Sequence, residues 1–156
     1  MRLERSAGFI VYVEPDGEHA DRLYLLLDYG THWEYAKGHV EKGEDDLAAA
    51  LRELEEETGI DDAEPLTGFS HEMEYFFRHA KRGLIKKTVV FFIARARDVH
   101  VEVSDEHVGY AWLPLEQARE RVTYANARKV LEAAATFLGE KVPAKTKKKP
   151  GKSKEM

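Results

Sequence analysis

At 156 residues and 43% hydrophobic content the chain is long enough for one domain with a full core, and no apolar run approaches the length of a membrane span. It has no cysteine, which excludes disulfides and thiolate metal sites, and its N-terminus lacks the apolar stretch of a secretory signal, so a soluble cytoplasmic protein is expected. The net charge of −5 is unevenly spread: residues 143–156 carry six Lys and one Glu, which leaves 18 Lys and Arg against 28 Asp and Glu in the remainder. An acidic body of that kind holds polyphosphate only through metal ions and locally placed cations.

In chain order, Ala7–Val13 and Leu23–Leu27 are β-prone apolar runs separated by a Pro15-Asp16-Gly17 turn. A helix is predicted over residues 45–58, where Leu, Ala, Arg and Glu dominate. Asp45 and Asp46 fall in its first turn, which favours negative charge, and Gly59 stands where a left-handed cap is expected. Leu47, Ala50, Leu51 and Leu54 recur at three- and four-residue steps and should form its buried stripe. Gly68–Phe77 and Lys87–Ala96 read as two strands joined by a basic loop containing Gly83. Tyr110–Leu113 reads as a short strand, Leu115–Glu120 as a short helix, and Asn126–Leu138 as a helix with its apolar face on Ala127, Val130, Leu131, Ala134 and Leu138. Mixed strands alternating with helices pack most naturally as a sheet between helical layers. Residues 1–142 are expected to form this domain. Residues 143–156, rich in Lys, Pro, Gly and Ser, are expected to be a disordered basic tail. Such a tail can touch nucleic acid or acidic surfaces, but a solubilising role is the usual meaning of runs like it.

The most informative stretch is residues 38–60, GHVEKGEDDLAAALRELEEETGI. It fits the pattern G-x5-E-x7-R-E-L-x-E-E-x-G-I through Gly38, Glu44, Arg52, Glu53, Leu54, Glu56, Glu57, Gly59 and Ile60. At average residue usage a window satisfies it by chance with probability on the order of 10⁻⁹. Glu53, Glu56 and Glu57, spaced i, i+3, i+4, place three carboxylates on one helix face. Crowded carboxylates repel unless a cation joins them, and hard oxygen ligands suit Mg²⁺ or Mn²⁺. Arg52, fixed in charge and forked, is suited to orient one of them.

This pattern resembles the Nudix box, the signature of hydrolases that cut a nucleoside diphosphate linked to another group. Outside the box, Thr31-His32-Trp33, Lys37-Gly38-His39-Val40-Glu41, Glu44-Asp45-Asp46-Leu47, Gly68-Phe69, Glu72-Met73-Glu74-Tyr75, Lys87-Thr88-Val89, Ser104-Asp105-Glu106-His107 and Trp112-Leu113 closely resemble the asymmetrical diadenosine tetraphosphate hydrolases of that superfamily. The likeness runs from about Arg5 to Leu138. One departure is Glu34-Tyr35-Ala36, where that family commonly has prolines; it alters the expected shape of the loop before Lys37.

The resemblance implies the Nudix fold, an α/β/α sandwich with a mixed sheet, and hydrolysis of diadenosine tetraphosphate to ATP and AMP. It implies that Tyr75 and Tyr124 sandwich an adenine, a role suited to aromatic faces. It implies that His32, Lys37 and Lys87 contact the phosphate chain, and that Glu106 is a loop carboxylate that binds metal or prepares the attacking water. With Glu53, Glu56 and Glu57 holding divalent metal, Glu57 or Glu106 is the expected general base. Two other readings fit the same fold. One is a Nudix enzyme for RNA 5′ ends or diphosphoinositol polyphosphates; the tyrosine pair argues against inositol phosphates, which offer no base to stack. The other is a catalytically silent nucleotide sensor, which loss of a box carboxylate would have signalled; none is lost.

Overall fold

The computed structural model describes residues 1–15 and 21–143. The Asp16-Gly17 part of the expected first turn, and residues 144–156 of the expected tail, lie outside the described residues.

Two long strands form the spine. β1 (Arg2–Val13) and β7 (Gly83–Arg95) run parallel, in register from Arg2 opposite Ile85 to Tyr12 opposite Arg95. The other pairings are antiparallel. β2 (Leu23–Asp28) joins β1 only at Tyr12 and Val13, and β4 (Ala36–His39) takes the earlier stretch Ser6–Phe9. β3 (Trp33–Glu34) and β8 (Gly109–Leu113) flank β2, while β5 (Glu64–Pro65) and β6 (His71–His79) pair with different parts of β7. The result is one mixed eight-stranded sheet. Parallel strands need a long crossover, and the chain between β1 and β7 supplies it, carrying α1 (Asp46–Thr58).

Each face of the sheet has its own core, because strand residues alternate sides. Ile10, Tyr12, Tyr24, Leu26, Val89, Phe91 and Ile93 pack under α2 (Leu115–Arg121) and α3 (Ala125–Phe137). Ala7, Phe9, Val11, Leu25, Leu27, Val90 and Ala94 pack under α1. This is the three-layer sandwich expected from the sequence. Among the described residues, no helix is long and apolar enough to cross a membrane.

Several sequence-based boundaries move. The strand expected from Gly68 begins at His71, because Gly68 adopts φ 97 in a turn. The expected basic loop is a tight hairpin: Arg78 lies on β6, Lys86 on β7, and Gly83 opens β7. The stripe on α1 also differs. Leu47 and Leu51 are exposed, and the buried positions are Ala49, Ala50, Leu54, Glu57 and Thr58. Small alanines let the helix lie close to the sheet, and the place a leucine stripe would fill goes to a carboxylate. The short strands β3, β4 and β5 have no sequence counterpart among the expected elements.

Candidate active site

The box helix is fixed at both ends. Asp45 caps its N-terminus, its side chain accepting from Ala48 N at 2.8 Å, and Gly59 closes it with φ 75, donating to Glu55 O. Arg5 of β1 holds Asp46 through two short bonds of 2.8 and 2.7 Å, which pins the first turn to the sheet. Two carboxylates of the last two turns reach β4, Glu53 at Gly38 and Glu57 at the Lys37 N–H.

Arg52 is the hub of the acidic cluster. Its guanidinium donates to both oxygens of Glu44 (2.7 and 3.0 Å), to Glu53 Oε2 (3.0 Å), to Glu56 Oε1 (3.3 Å) and to the His39 carbonyl (2.9 Å). The bonds from Arg52 hold the Glu44 carboxyl down at about 2, so it remains charged at neutral pH. Gly38 provides the room: a Cβ there would stand 2.0 Å from Glu53 Cδ and 2.3 Å from each of its oxygens. The first glycine of the motif is thus required by the Glu53 carboxylate that fills the space.

Glu57 is buried. Its Oε1 accepts from the Lys37 backbone N–H at 3.2 Å. Burial, followed by the negative charges of Glu53 and Glu106, raises its carboxyl to about 8. Burial likewise raises Glu53, against the counter-effect of Arg52. Glu56 and Glu106 are exposed at the rim. The crowding of like charges, the cradle at Gly38 and the all-oxygen donor set fit a hard divalent cation. Among the described residues no three acidic or histidine side chains already converge on one point, and Arg52 lies against Glu53 and Glu56.

The sequence-assigned cations stand beside this cluster. Lys37 Nζ is 3.5 Å from Glu34 Oε1, and the buried Lys87 is 3.7 Å from Glu4 Oε1. Desolvation and the nearby Lys37 lower the pKa of Lys87. Tyr75 faces the same side of the sheet as Lys87, its register partner, and is 39% exposed, with its ring 6.2 Å from that of Phe77. Tyr124 is the residue before α3 and lies 5.3 Å from His32. His32 in turn stacks on Tyr29 at 4.8 Å with the rings 3° from parallel. Burial lowers the pKa of His32. The structure therefore gathers His32, Lys37, Tyr75, Lys87 and Tyr124 on the flank of the carboxylates, with Glu34 among them. A separate cleft of about 380 Å³, lined by residues such as Asp21, Leu115, Gln117 and Glu140, shares none of these residues.

Four side chains near the site were not singled out from the sequence. Glu34 and His107 each bury a polar atom without a hydrogen-bond partner. Tyr29 bridges His32 and His107 through ring contacts, and Glu4 pairs with Lys87 and Arg82. The departure at Glu34-Tyr35-Ala36 is explained by Tyr35: its ring is fully buried against Phe91 and its hydroxyl donates to the Ala127 carbonyl, which anchors the loop to α3 in place of proline stiffness.

Comparison with known proteins agrees with this architecture. Residues 4–134 match the NUDIX domain family. The asymmetrical bis(5′-nucleosyl)-tetraphosphatase of Mus musculus is 37% identical over 145 residues, covering 86% of this chain and 95% of the relative. That of Caenorhabditis elegans is 34% identical, covering 86% and 96%. The crystal structure of a C. elegans Ap4A hydrolase binary complex superposes with a TM-score of 0.75 at 29% identity, covering 87% of this chain and 98% of that one. A box with every specified position present, on this fold and with relatives of this identity and coverage, leaves one assignment: the chain belongs to the NUDIX domain family, in the group of the asymmetrical bis(5′-nucleosyl)-tetraphosphatases.

Proposed function

We propose that the protein hydrolyses diadenosine tetraphosphate to ATP and AMP, with divalent metal held by Glu53, Glu56 and Glu57. The observation that carries this reading is the juxtaposition of a crowded carboxylate cluster, in which the Glu57 carboxyl rises to about 8, with two lysines and a partly exposed tyrosine. That combination suits a ligand with a base at one end and several phosphates beside it.

Bound Mg²⁺ or Mn²⁺ supplies Lewis acidity to phosphate oxygens and lowers the pKa of a coordinated water. The side chains do the rest. Tyr75 and Tyr124 stack the adenine and fix one end of the substrate. His32, Lys37 and Lys87 bind the phosphate chain, and the two lysines offset charge that develops as the phosphoryl group transfers. Glu57 or Glu106 takes the proton from the attacking water. Arg52 orients Glu53 and Glu56 through its bonds to both. The cut is asymmetric because the clamp sets the distance from the base to the metal helix.

A substrate panel tests the reading. Diadenosine tetraphosphate, 5′-triphosphorylated RNA and a diphosphoinositol polyphosphate, each offered with Mg²⁺ and again with chelator, should give the highest kcat/KM for the dinucleotide and none with chelator. Preference for either alternative substrate, or full turnover in chelator, overturns it.

A further inference from the structure

His107 has no side-chain exposure at all, yet its Nε2 makes no hydrogen bond. That atom stands 4.0 Å from Glu57 Oε1. The other ring nitrogen, Nδ1, is 3.0 Å from Ser104 Oγ, and the same hydroxyl accepts from the Glu106 backbone N–H at 3.3 Å. The loop is stitched to the box helix as well, since Ser104 N donates to the Glu57 carbonyl and His107 N to the Ser104 carbonyl. The edge-on contact with Tyr29, at 4.4 Å, holds the ring plane.

The Ser104 contact accommodates either tautomer, because a hydroxyl that accepts the Glu106 N–H can still donate to Nδ1 or accept from it. The neighbour of Nε2 decides: an ionised, metal-holding Glu57 carboxylate only accepts, so beside it the ring proton belongs on Nε2 and Nδ1 accepts from the Ser104 hydroxyl. A separation of 4.0 Å is longer than a hydrogen bond; the last torsion of a glutamate is soft, and a small rotation about it is the motion that would bring the two atoms within reach. With the Lys37 N–H already on Oε1, a second donor there would turn Oε1 toward the protein.

We propose that His107 is a positioning residue that fixes the Glu57 carboxylate, through Nε2–H and Oε1, in the orientation its metal-binding role requires. The proposal rests on the reading of Glu57 as a metal ligand. It gives the Ser104–His107 turn a task separate from that of Glu106: Ser104 holds the ring through Nδ1, and His107 sets the carboxylate. Outer partners of this kind change metal affinity by about 10–100-fold when removed.

The test uses the full chain and two readouts, Mn²⁺ affinity by electron paramagnetic resonance and turnover of diadenosine tetraphosphate. His107→Leu fills the space without a donor and should weaken Mn²⁺ binding by about tenfold or more, and lower kcat with KM for the dinucleotide nearly unchanged. His107→Gln, whose amide nitrogen can reach the Nε2 position, should recover most of both. In a Glu57→Gln background the leucine substitution should have no further effect on Mn²⁺ affinity, a result that a purely structural role would not give. Should His107→Leu fail to fold, Ser104→Ala, which removes the partner of Nδ1 and frees the ring, should show the same direction of change. Wild-type Mn²⁺ affinity in His107→Leu or in a folded Ser104→Ala, or an equal loss with and without Glu57, overturns the proposal. If the wild-type protein leaves the dinucleotide intact, the substrate reading fails while the Mn²⁺ series still decides the role of His107.

Discussion

The burial of Glu57 makes a prediction about stability that needs no substrate. In metal-free protein its carboxyl sits at about 8, against an ordinary value of 4.5, because burial and the charges of Glu53 and Glu106 oppose ionisation. The folded state therefore holds this proton more tightly than the unfolded chain. That contribution to stability is fully present below about pH 4.5 and is lost as pH rises toward 8, after which the curve is flat. At about 1.4 kcal/mol per pH unit, the loss has a ceiling of on the order of 4–5 kcal/mol; relaxation of the side chain on ionisation brings it to a few. For a domain of this size that is roughly 10 °C in Tm. Glu57→Gln carries no charge at any pH and removes the slope. Thermal melts in chelator from pH 4.5 to 8.5 should therefore show wild type and variant converging at the acid end and the variant more stable at pH 8. Added Mg²⁺ should raise the wild-type Tm at pH 8 and leave the variant largely unmoved. Parallel curves for the two proteins across the range would refute the argument.

The remaining predictions concern the clamp, the cradle and the tail. Tyr75→Ala should weaken binding of a non-hydrolysable dinucleotide by about 1–3 kcal/mol, or one to two decades, with Tyr75→Phe nearly silent; unchanged affinity in a titration would remove Tyr75 from the clamp. Gly38→Ala should leave the protein folded, since the new methyl meets a side chain and not backbone, but should displace Glu53 and cut Mn²⁺ affinity; wild-type affinity would show that the Glu53 position does not matter. Truncation after Val142 should leave dinucleotide hydrolysis intact, because residues 143–156 carry no part of the box; a large loss would mean the tail contributes to the site.

Much of this molecule is legible from local pattern. The box helix follows from its own residues: Asp45 caps it, Gly59 ends it, and Glu53, Glu56 and Glu57 share a side through spacing alone. Of the expected stripe, Ala50 and Leu54 face the sheet; Leu47 and Leu51 obey helical periodicity without facing it, and Ala49 takes their place. Periodicity identifies an apolar face; it does not say how close the neighbouring layer comes. β3, β4 and β5 are short segments defined by partners far away in the chain, as when Gly38 pairs with Ala7, and a two- to four-residue strand has no period to detect. His107, Glu34 and Tyr29 share that difficulty. Each is unremarkable in sequence, and its significance lies in an unmatched buried atom or a ring contact made across the fold. The signal available for His107 was its place beside Glu106 in a segment already matched to the family, and for Glu34 the replacement of an expected proline stretch.

The account's central claim is an asymmetric, metal-dependent cut of a dinucleoside tetraphosphate. Chromatographic analysis of the products formed from diadenosine tetraphosphate with Mg²⁺ tests it most directly. Equal amounts of ATP and AMP, absent when chelator is added or when Glu57 is replaced by Gln, are the predicted result; ADP as the sole product, or an intact substrate, would contradict it.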